Sequence, residues 1–338
     1  MSNFTPQQSD SNHPQPRLVI SAHDTHICRL AYLPDGRRVA TDSGNGTVNL
    51  WNLEIGEQEG ASMGHNNTIT GFAVTRDGTK IISSYHGGEI KVWNVESHEI
   101  VEEWTHPESV PRIAISPDDR LIAVGGGTVA FYTMKGIPVN HSIEVHKAVW
   151  TSVSSMCFSP DGKKLACGTR TKMIRVYDVE SGTLILRPLQ GHQGCIQDVL
   201  WSHDGSRLFG SDDKAICCWN SDTGEQIGQP WTGHNSWIRS LSLSPDGLIL
   251  ASASWDKTVR FWNAITGHPI GQHLQHDKEV NVVRFSPSGE FVASAGWDEK
   301  IYLWRVPWLN SVENRVRTLI RCLGIHTYRF LYLTDKPC

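Results

Sequence analysis

Residues 233–263 read GHNSWIRSLSLSPDGLILASASWDKTVRFWN, and this stretch decides the architecture. At its centre, Pro245-Asp246-Gly247 is turn chemistry, because proline presets φ and glycine accepts a positive φ. Apolar runs flank the turn, so the segment predicts a hairpin. It is followed by an alternating strand, Thr258 to Trp262, that closes on an aromatic ring. The same turn signal recurs with central residues at 35, 77, 118, 161, 204, 246 and 288, in steps of 42, 41, 43, 43, 42 and 42. A second series of closing aromatics stands at Trp51, Trp93, Tyr132, Tyr177, Trp219, Trp262 and Trp304. A third is histidine: His23, His65, His106, His146, His192, His234 and His276. Three markers sharing one period predict seven units of four short strands, which can bury their faces only by stacking on one another.

Composition agrees with a packed chain. Of 338 residues, 39% are hydrophobic and 20% charged, far from the composition that leaves chains unfolded. Lys+Arg number 31 against Asp+Glu 35, a net charge of −4, which argues against nonspecific duplex binding. No segment has the roughly 18 apolar residues of a spanning helix. Met1 to Gln15 is rich in Ser, Asn, Gln and Pro without an apolar core, and reads as a disordered lead-in rather than a signal peptide. The eight cysteines lack paired metal spacing and read as reduced thiols in a core, so a cytoplasmic or nuclear setting is expected.

The period, the Gly64-His65, Gly191-His192 and Gly233-His234 entries, and the Trp-Asn or Tyr-Asp closes resemble the WD-repeat (WD40) β-propellers over residues 17–306. The resemblance implies an all-β, seven-bladed β-propeller of four-stranded antiparallel blades. Its N-terminal strand, Leu18 to Ile20, would complete the last blade and remove both sheet edges. Residues 1–16 are expected to be a disordered tail. In the extension 307–338, Val312, Val316, Leu319, Ile320 and Leu323 recur at roughly helical spacing among Arg315, Arg317 and Arg321. That pattern is compatible with an amphipathic helix on the propeller, a partner-binding tail or a disordered end.

An aspartate stands six residues before three of the closing tryptophans: Asp213 before Trp219, Asp256 before Trp262 and Asp298 before Trp304. With His192, His234 and His276, the resemblance implies a buried network in which the indole donates to a hydroxyl, the hydroxyl to histidine, and histidine to aspartate. Ser252 and Ser294 are the expected hydroxyls; in blade five the same slot falls on Phe209, with Ser211 as substitute. Asn45, Gly87, Gly126 and Thr171 occupy the aspartate position in blades one to four, and Asp119 stands where the other six turns hold glycine, so blade three is expected to be weakest. Ser, His and Asp together invite a hydrolase reading, but a nucleophile must be exposed beside an oxyanion hole. A set that repeats between strands under a tryptophan is a structural fastener, and no enzymatic activity, cofactor or metal site is expected. Gly125 to Ala130 formally satisfies G-x-G-x-x-A, yet a strand, not a helix, is expected to follow it.

In the family, partners commonly contact the residue before the turn aspartate and the two residues flanking the first inner-strand apolar position. Mapped residue by residue, these are Asp212, Trp255 and Trp297, with His86 and Arg170 in blades two and four. The flanking pairs are Cys195 and Gln197, Trp237 and Arg239, Glu279 and Asn281, His26 and Cys28, and Thr68 and Thr70. Trp237, Arg239, Trp255 and Trp297 therefore cluster on one face, and Trp and Arg are enriched at binding hot spots. The expected function is a non-catalytic interaction scaffold for a protein or peptide within a multiprotein complex, as a monomeric ring without direct nucleic-acid or membrane binding. Two alternatives stand beside it. The repeats resemble fungal WD-repeat expansions, which suggests a ligand-recognition propeller of a signalling or nonself-sensing system. The other is an enzyme at the channel mouth using His26, His86, Glu279 or Asp212.

Overall fold

The computed structural model describes residues 14–64, 67–108, 110, 112–145 and 153–306. His65, His146, most of the expected N-terminal tail and the whole 307–338 extension lie outside the described residues. Twenty-seven strands fall into seven antiparallel sheets and no helix occurs among the described residues. Blade six shows the plan: Ile238–Leu243 is innermost, followed outward by Ile249–Ser254, Thr258–Asn263 and the short Leu274–Gln275. Each Asp-Gly turn joins the two innermost strands.

Blade seven closes the ring. Its inner three strands come from the C-terminal end of the repeat array, and Leu18–Ser21 is the fourth, pairing Leu18 with Leu303 and Ile20 with Ile301. Ile20, Ile301, Leu303 and Ile27 are buried in one cluster shared by blades seven and one. Burying each such side chain is worth about 1.5–3 kcal/mol, so closure is held by packing as well as by the ladder. The other core clusters likewise lie between neighbouring blades, as where Phe209, Cys218 and Trp231 of blade five meet Leu241 and Trp262 of blade six.

Six sheets have four regular strands. In blade four the outer position is irregular, held to the third strand by bridges from Leu184 to Tyr177 and from Leu189 to Ile174. Blades five and six have outer strands of only two residues. Pro188, Pro230 and Pro269 lie in these outer segments and cannot donate to a ladder, whereas the proline-free outer strands Glu57–Gly64 and Ile100–Thr105 run on. The glycine-rich run in blade three is followed by the strand Thr128–Thr133, which removes the cofactor-loop reading. Gly125 has φ +149° and a Cβ there would sit 2.0 Å from the Thr128 carbonyl oxygen, so only glycine fits. Asp119 adopts the left-handed φ of the glycines it replaces, +57°. Its carboxylate accepts the Arg76 N–H at 2.9 Å and the Asp77 N–H at 3.3 Å, tying blade three's turn to blade two's and offsetting the strain.

Candidate binding face at the channel mouth

The side chains at the mouth are set by the buried network beneath them. In blade six that network is continuous. Trp262 Nε1 donates to Ser252 Oγ at 2.8 Å, Ser252 lies 2.7 Å from His234 Nε2, and His234 Nδ1 lies 2.8 Å from Asp256 Oδ2. Thr258 N, Thr258 Oγ1 and Asn235 N also donate to the Asp256 carboxylate. Burial opposes ionisation of Asp256, but the His234 hydrogen bond and these donors outweigh it and hold the carboxyl below its ordinary range. Burial in turn lowers the His234 pKa, so the pair is a neutral imidazole donating from Nδ1 to a carboxylate, with Nε2 free to accept the serine proton. Such a set fixes the Ser254-Trp255-Asp256 turn, and with it Trp255.

Blade five departs from the sequence expectation. Its aspartate is Asp212, not Asp213: His192 Nδ1 lies 3.0 Å from Asp212 Oδ2, and Gln193, Lys214 and Ala215 donate backbone N–H groups to the same carboxylate. The cause is a turn one residue shorter. Leu208 pairs with Trp219 as Leu250 pairs with Trp262, a span of 219 − 208 = 11 against 262 − 250 = 12. In the shorter turn the carboxylate comes from the first turn residue, Asp212, seven residues before Trp219, so counting back six stops one residue short, at Asp213. Asp212, expected on the partner face, is buried, and Asp213 is the half-exposed neighbour. The hydroxyl slot is likewise Gly210 rather than Phe209, since a Cβ there would meet His192 Nε2 at 2.8 Å. Ser211 does not substitute: its hydroxyl donates to the Ile238 carbonyl. With no hydroxyl to bridge them, Trp219 Nε1 turns to the Gln190 carbonyl at 3.3 Å, and neither His192 nitrogen makes a well-aligned hydrogen bond among the described residues, Nδ1 keeping only its 3.0 Å approach to Asp212.

Blade seven keeps only the inner half. Trp304 Nε1 donates to Ser294 Oγ at 2.8 Å, and Ser294 lies 3.1 Å from His276 Nε2. No hydrogen bond joins His276 to Asp298 among the described residues, and Asp298 Oδ2 is unpartnered. Lys300 stands where blade six has Thr258, and the Tyr302 ring abuts His276 edge-on at 4.6 Å. Burial pushes the His276 pKa down to about 3 and, in blade one, the His23 pKa down to about 4. In blade one His23 and Trp51 share the Thr41 hydroxyl, at 2.8 and 2.9 Å, without an aspartate.

Above these fasteners lies an aromatic ladder. Trp237 stacks on Trp255 with centroids 4.8 Å apart, Trp255 meets Trp297 edge-on at 6.2 Å, and Trp297 stacks on His26 at 4.6 Å. The ladder crosses blades six, seven and one. Trp237 is 42% and Trp297 41% exposed, while Trp255 is half-buried. Asn281 pins it: the side-chain oxygen accepts Trp255 Nε1 at 2.8 Å, and its amide donates to the Ile27 carbonyl at 2.8 Å. Arg239 lies over the Trp255 ring at 5.3 Å and donates to Gln197 Oε1 at 2.5 Å.

The structure thus brings together Trp237, Arg239, Trp255, Trp297, Gln197 and Asn281. Glu279 adjoins them, its carbonyl accepting the Trp297 N–H at 3.0 Å. Arg170 is exposed on blade four, its carbonyl accepting the Cys195 thiol, and His86 is exposed on blade two; neither joins the ladder. Sequence reasoning missed the stacking role of His26 and its support, Gly44, where a Cβ would strike the His26 ring at 2.6 Å. It also missed the interior of the channel. Below the ladder a cavity of about 370 Å³ is lined by Arg29, Arg112, Arg239 and Arg284 together with Asp198. Among the described residues, no group of three or more His, Cys, Asp or Glu converges as metal ligands.

The WD domain, G-beta repeat family matches residues 14–52, 57–94, 139–178, 183–220, 224–263 and 267–305, well over half of the chain. The chain belongs to the WD-repeat family. The six matches pass over residues 95–138, where the WD-repeat ring builds blade three without a closing tryptophan. Among curated relatives, the chain is 33% identical over 136 residues to a poly(A)+ RNA export protein of Schizosaccharomyces pombe, covering 38% of this chain and 37% of the relative. It is 32% identical over 179 residues to wuho, a tRNA (guanine-N(7)-)-methyltransferase non-catalytic subunit of Drosophila erecta, covering 52% and 42%. It is 39% identical over 85 residues to eukaryotic translation initiation factor 3 subunit I of Coccidioides immitis, covering 24% and 25%. This WD-repeat chain therefore spans between a quarter and about two-fifths of the length of these relatives.

Proposed function

We propose that the chain is a non-catalytic interaction scaffold that receives a protein or peptide partner where blades six, seven and one meet the channel mouth. One observation carries the reading. Trp237 and Trp297 hold two-fifths of their surface in water although both are locked in a stacked ladder. Rigid aromatic surface already ordered loses little rotamer freedom on binding, which is how hot spots gain affinity. The Ser-His-Asp set of blade six is consumed by mutual hydrogen bonds under Trp262, so it offers no free nucleophile. Two of the relatives are named as subunits, one of them non-catalytic, which supports a place in a multiprotein complex of the cytoplasm or nucleus.

The test is an affinity purification comparing the wild type with a Trp237→Ala, Arg239→Ala, Trp297→Ala variant whose folding is checked by melting. The variant is expected to stay folded and lose a specific subset of partners. Retention of every partner at equal strength would remove this face from consideration.

A further inference from the structure

Blade one carries a turn built like that of blade six, with an amide in place of the acid. Val39 pairs with Trp51 as Leu250 pairs with Trp262, spans of 51 − 39 = 12 and 262 − 250 = 12, so Asn45 holds the position of Asp256. Asn45 Oδ1 accepts the Thr47 N–H at 3.1 Å and the Thr47 hydroxyl at 2.7 Å, matching the 3.0 and 2.6 Å bonds that Asp256 Oδ1 takes from Thr258. A backbone N–H only donates, so the branch that meets Thr47 is the amide oxygen. The other branch is Nδ2, a donor, where Asp256 has the oxygen that faces His234 Nδ1 at 2.8 Å.

His23 needs the opposite. Trp51 Nε1 donates to Thr41 Oγ1, which directs the hydroxyl proton to His23 Nε2 and leaves the imidazole proton on Nδ1. Burial keeps the ring neutral, its pKa down to about 4. No hydrogen bond from Nδ1 is found among the described residues. An amide nitrogen cannot accept that proton, whereas a carboxylate oxygen in its place would.

The residue after Asn45 makes the exchange of amide for acid accessible. Asn45-Gly46 is the one Asn-Gly pair in the sequence, and Asn45 is exposed on its turn. Gly46 has φ +86° where blade six has Lys257 at +70°, and it lacks the side chain that would shield its nitrogen. That nitrogen is held by one bond, to the Ser43 carbonyl at 3.1 Å. Both Thr47 donors already face Oδ1, the atom that gains negative charge when Cγ is attacked.

We infer that Asn45 is a site of spontaneous deamidation and that its aspartate product completes the buried network of blade one. The Gly46 nitrogen gives its proton to solvent base and attacks Asn45 Cγ. A succinimide ring closes as the Cγ–Nδ2 bond breaks, and that nitrogen leaves as ammonia. Water then adds to Cγ and breaks the new Cγ–N bond, which restores the Gly46 amide and leaves a carboxylate at position 45. One water is taken up, one ammonia is released, and nothing is oxidised or reduced. Addition of water at the other ring carbonyl gives isoaspartate instead. Its extra backbone methylene pushes the turn toward His26, against whose ring a Cβ on Gly44 would already come within 2.6 Å. Asp24 stands where blade six has Asn235, but its side chain is exposed and its charge is screened by water. The inference is independent of the partner-docking reading.

Peptide mapping by mass spectrometry, on the full chain incubated at mildly alkaline pH in heavy-oxygen water, tests the reaction. The peptide holding Asn45 is expected to convert ahead of those holding Asn220 and Asn235, each followed by serine, and to take up one heavy oxygen. Asn45→Asp tests the consequence. It is expected to melt about 1–3 °C above the wild type, and that gain is expected to vanish when the same change is made in His23→Gln. The inference is overturned if Asn45 converts no faster than Asn220 and Asn235, if isoaspartate is the sole product, if Asn45→Asp melts at or below the wild type, or if its gain persists without His23.

Discussion

Blades five and six are neighbours built on one plan, and their difference shows which links of the buried network survive a shortened turn and a missing hydroxyl. Blade six has the longer turn, and its indole, hydroxyl, imidazole and carboxylate form one unbroken chain from Trp262 to Asp256. Blade five lacks one residue there; the carboxylate still reaches its histidine through Asp212, but the hydroxyl is gone and Gly210 fills the place. The carboxylate position tolerates the deletion because it is defined by backbone N–H groups on both sides of the turn. The hydroxyl is lost for a separate reason: its slot lies in the strand before the turn, in unchanged register, and holds Gly210 where blade six has Ser252. The consequence reaches the surface. In blade six the residue before the aspartate is Trp255, part of the ladder; in blade five it is Ser211, fully buried.

The largest effect that would break this comparison is Asp256→Ala. It leaves His234 Nδ1, Thr258 and Asn235 without their acceptor and is expected to cost about 1–3 kcal/mol by chemical denaturation. An unchanged unfolding midpoint would mean that the continuous network does not hold blade six. Next comes pH. His276 and His23, with folded pKa values of about 3 and about 4 against an ordinary 6.5, resist protonation in the fold and accept it when unfolded. The unfolded state therefore binds more protons between about pH 6.5 and 4, and stability falls as pH drops through that window, on the order of 1 kcal/mol per unit. Below it, loss of the depressed Asp256 and Asp212 carboxylates adds to the fall. A melting temperature that is flat from pH 7 to 5 would contradict buried neutral imidazoles. The smallest effect sharpens the register shift. Asp212→Asn should destabilise by about 1 kcal/mol or more, while Asp213→Asn stays within about 0.5 kcal/mol. The reverse ranking would restore the spacing read from Trp219.

The ring was legible in the sequence because its markers are local: turn residues need particular φ angles and closing aromatics end alternating strands, so both repeat wherever the unit repeats. Closure was legible through the family resemblance, which assigned the apolar run Leu18 to Ile20 ahead of the first histidine to the last blade, where Leu18–Ser21 pairs with that blade's third strand. Within the site, Trp237, Trp255 and Trp297 were legible by position. The register of Asp212 was not, since a count along the chain assumes a turn of constant length, and only the strand pairing shows the deletion. Nor was the charged channel. Arg29, Arg112, Arg239 and Arg284 come from four blades and are separated by at least forty residues, so no linear pattern joins them until the ring brings their inner strands around one axis.

The central claim, that partners dock on the aromatic mouth, is tested most directly by site-specific photo-crosslinking from Glu279, beside the ladder, and from Ile265, an exposed residue of the turn after blade six's third strand. The account predicts discrete adducts from position 279 that vanish in Trp237→Ala, Trp297→Ala, and none of these adducts from position 265. The same adducts from both positions, or adducts from 279 that persist without the two tryptophans, would contradict it.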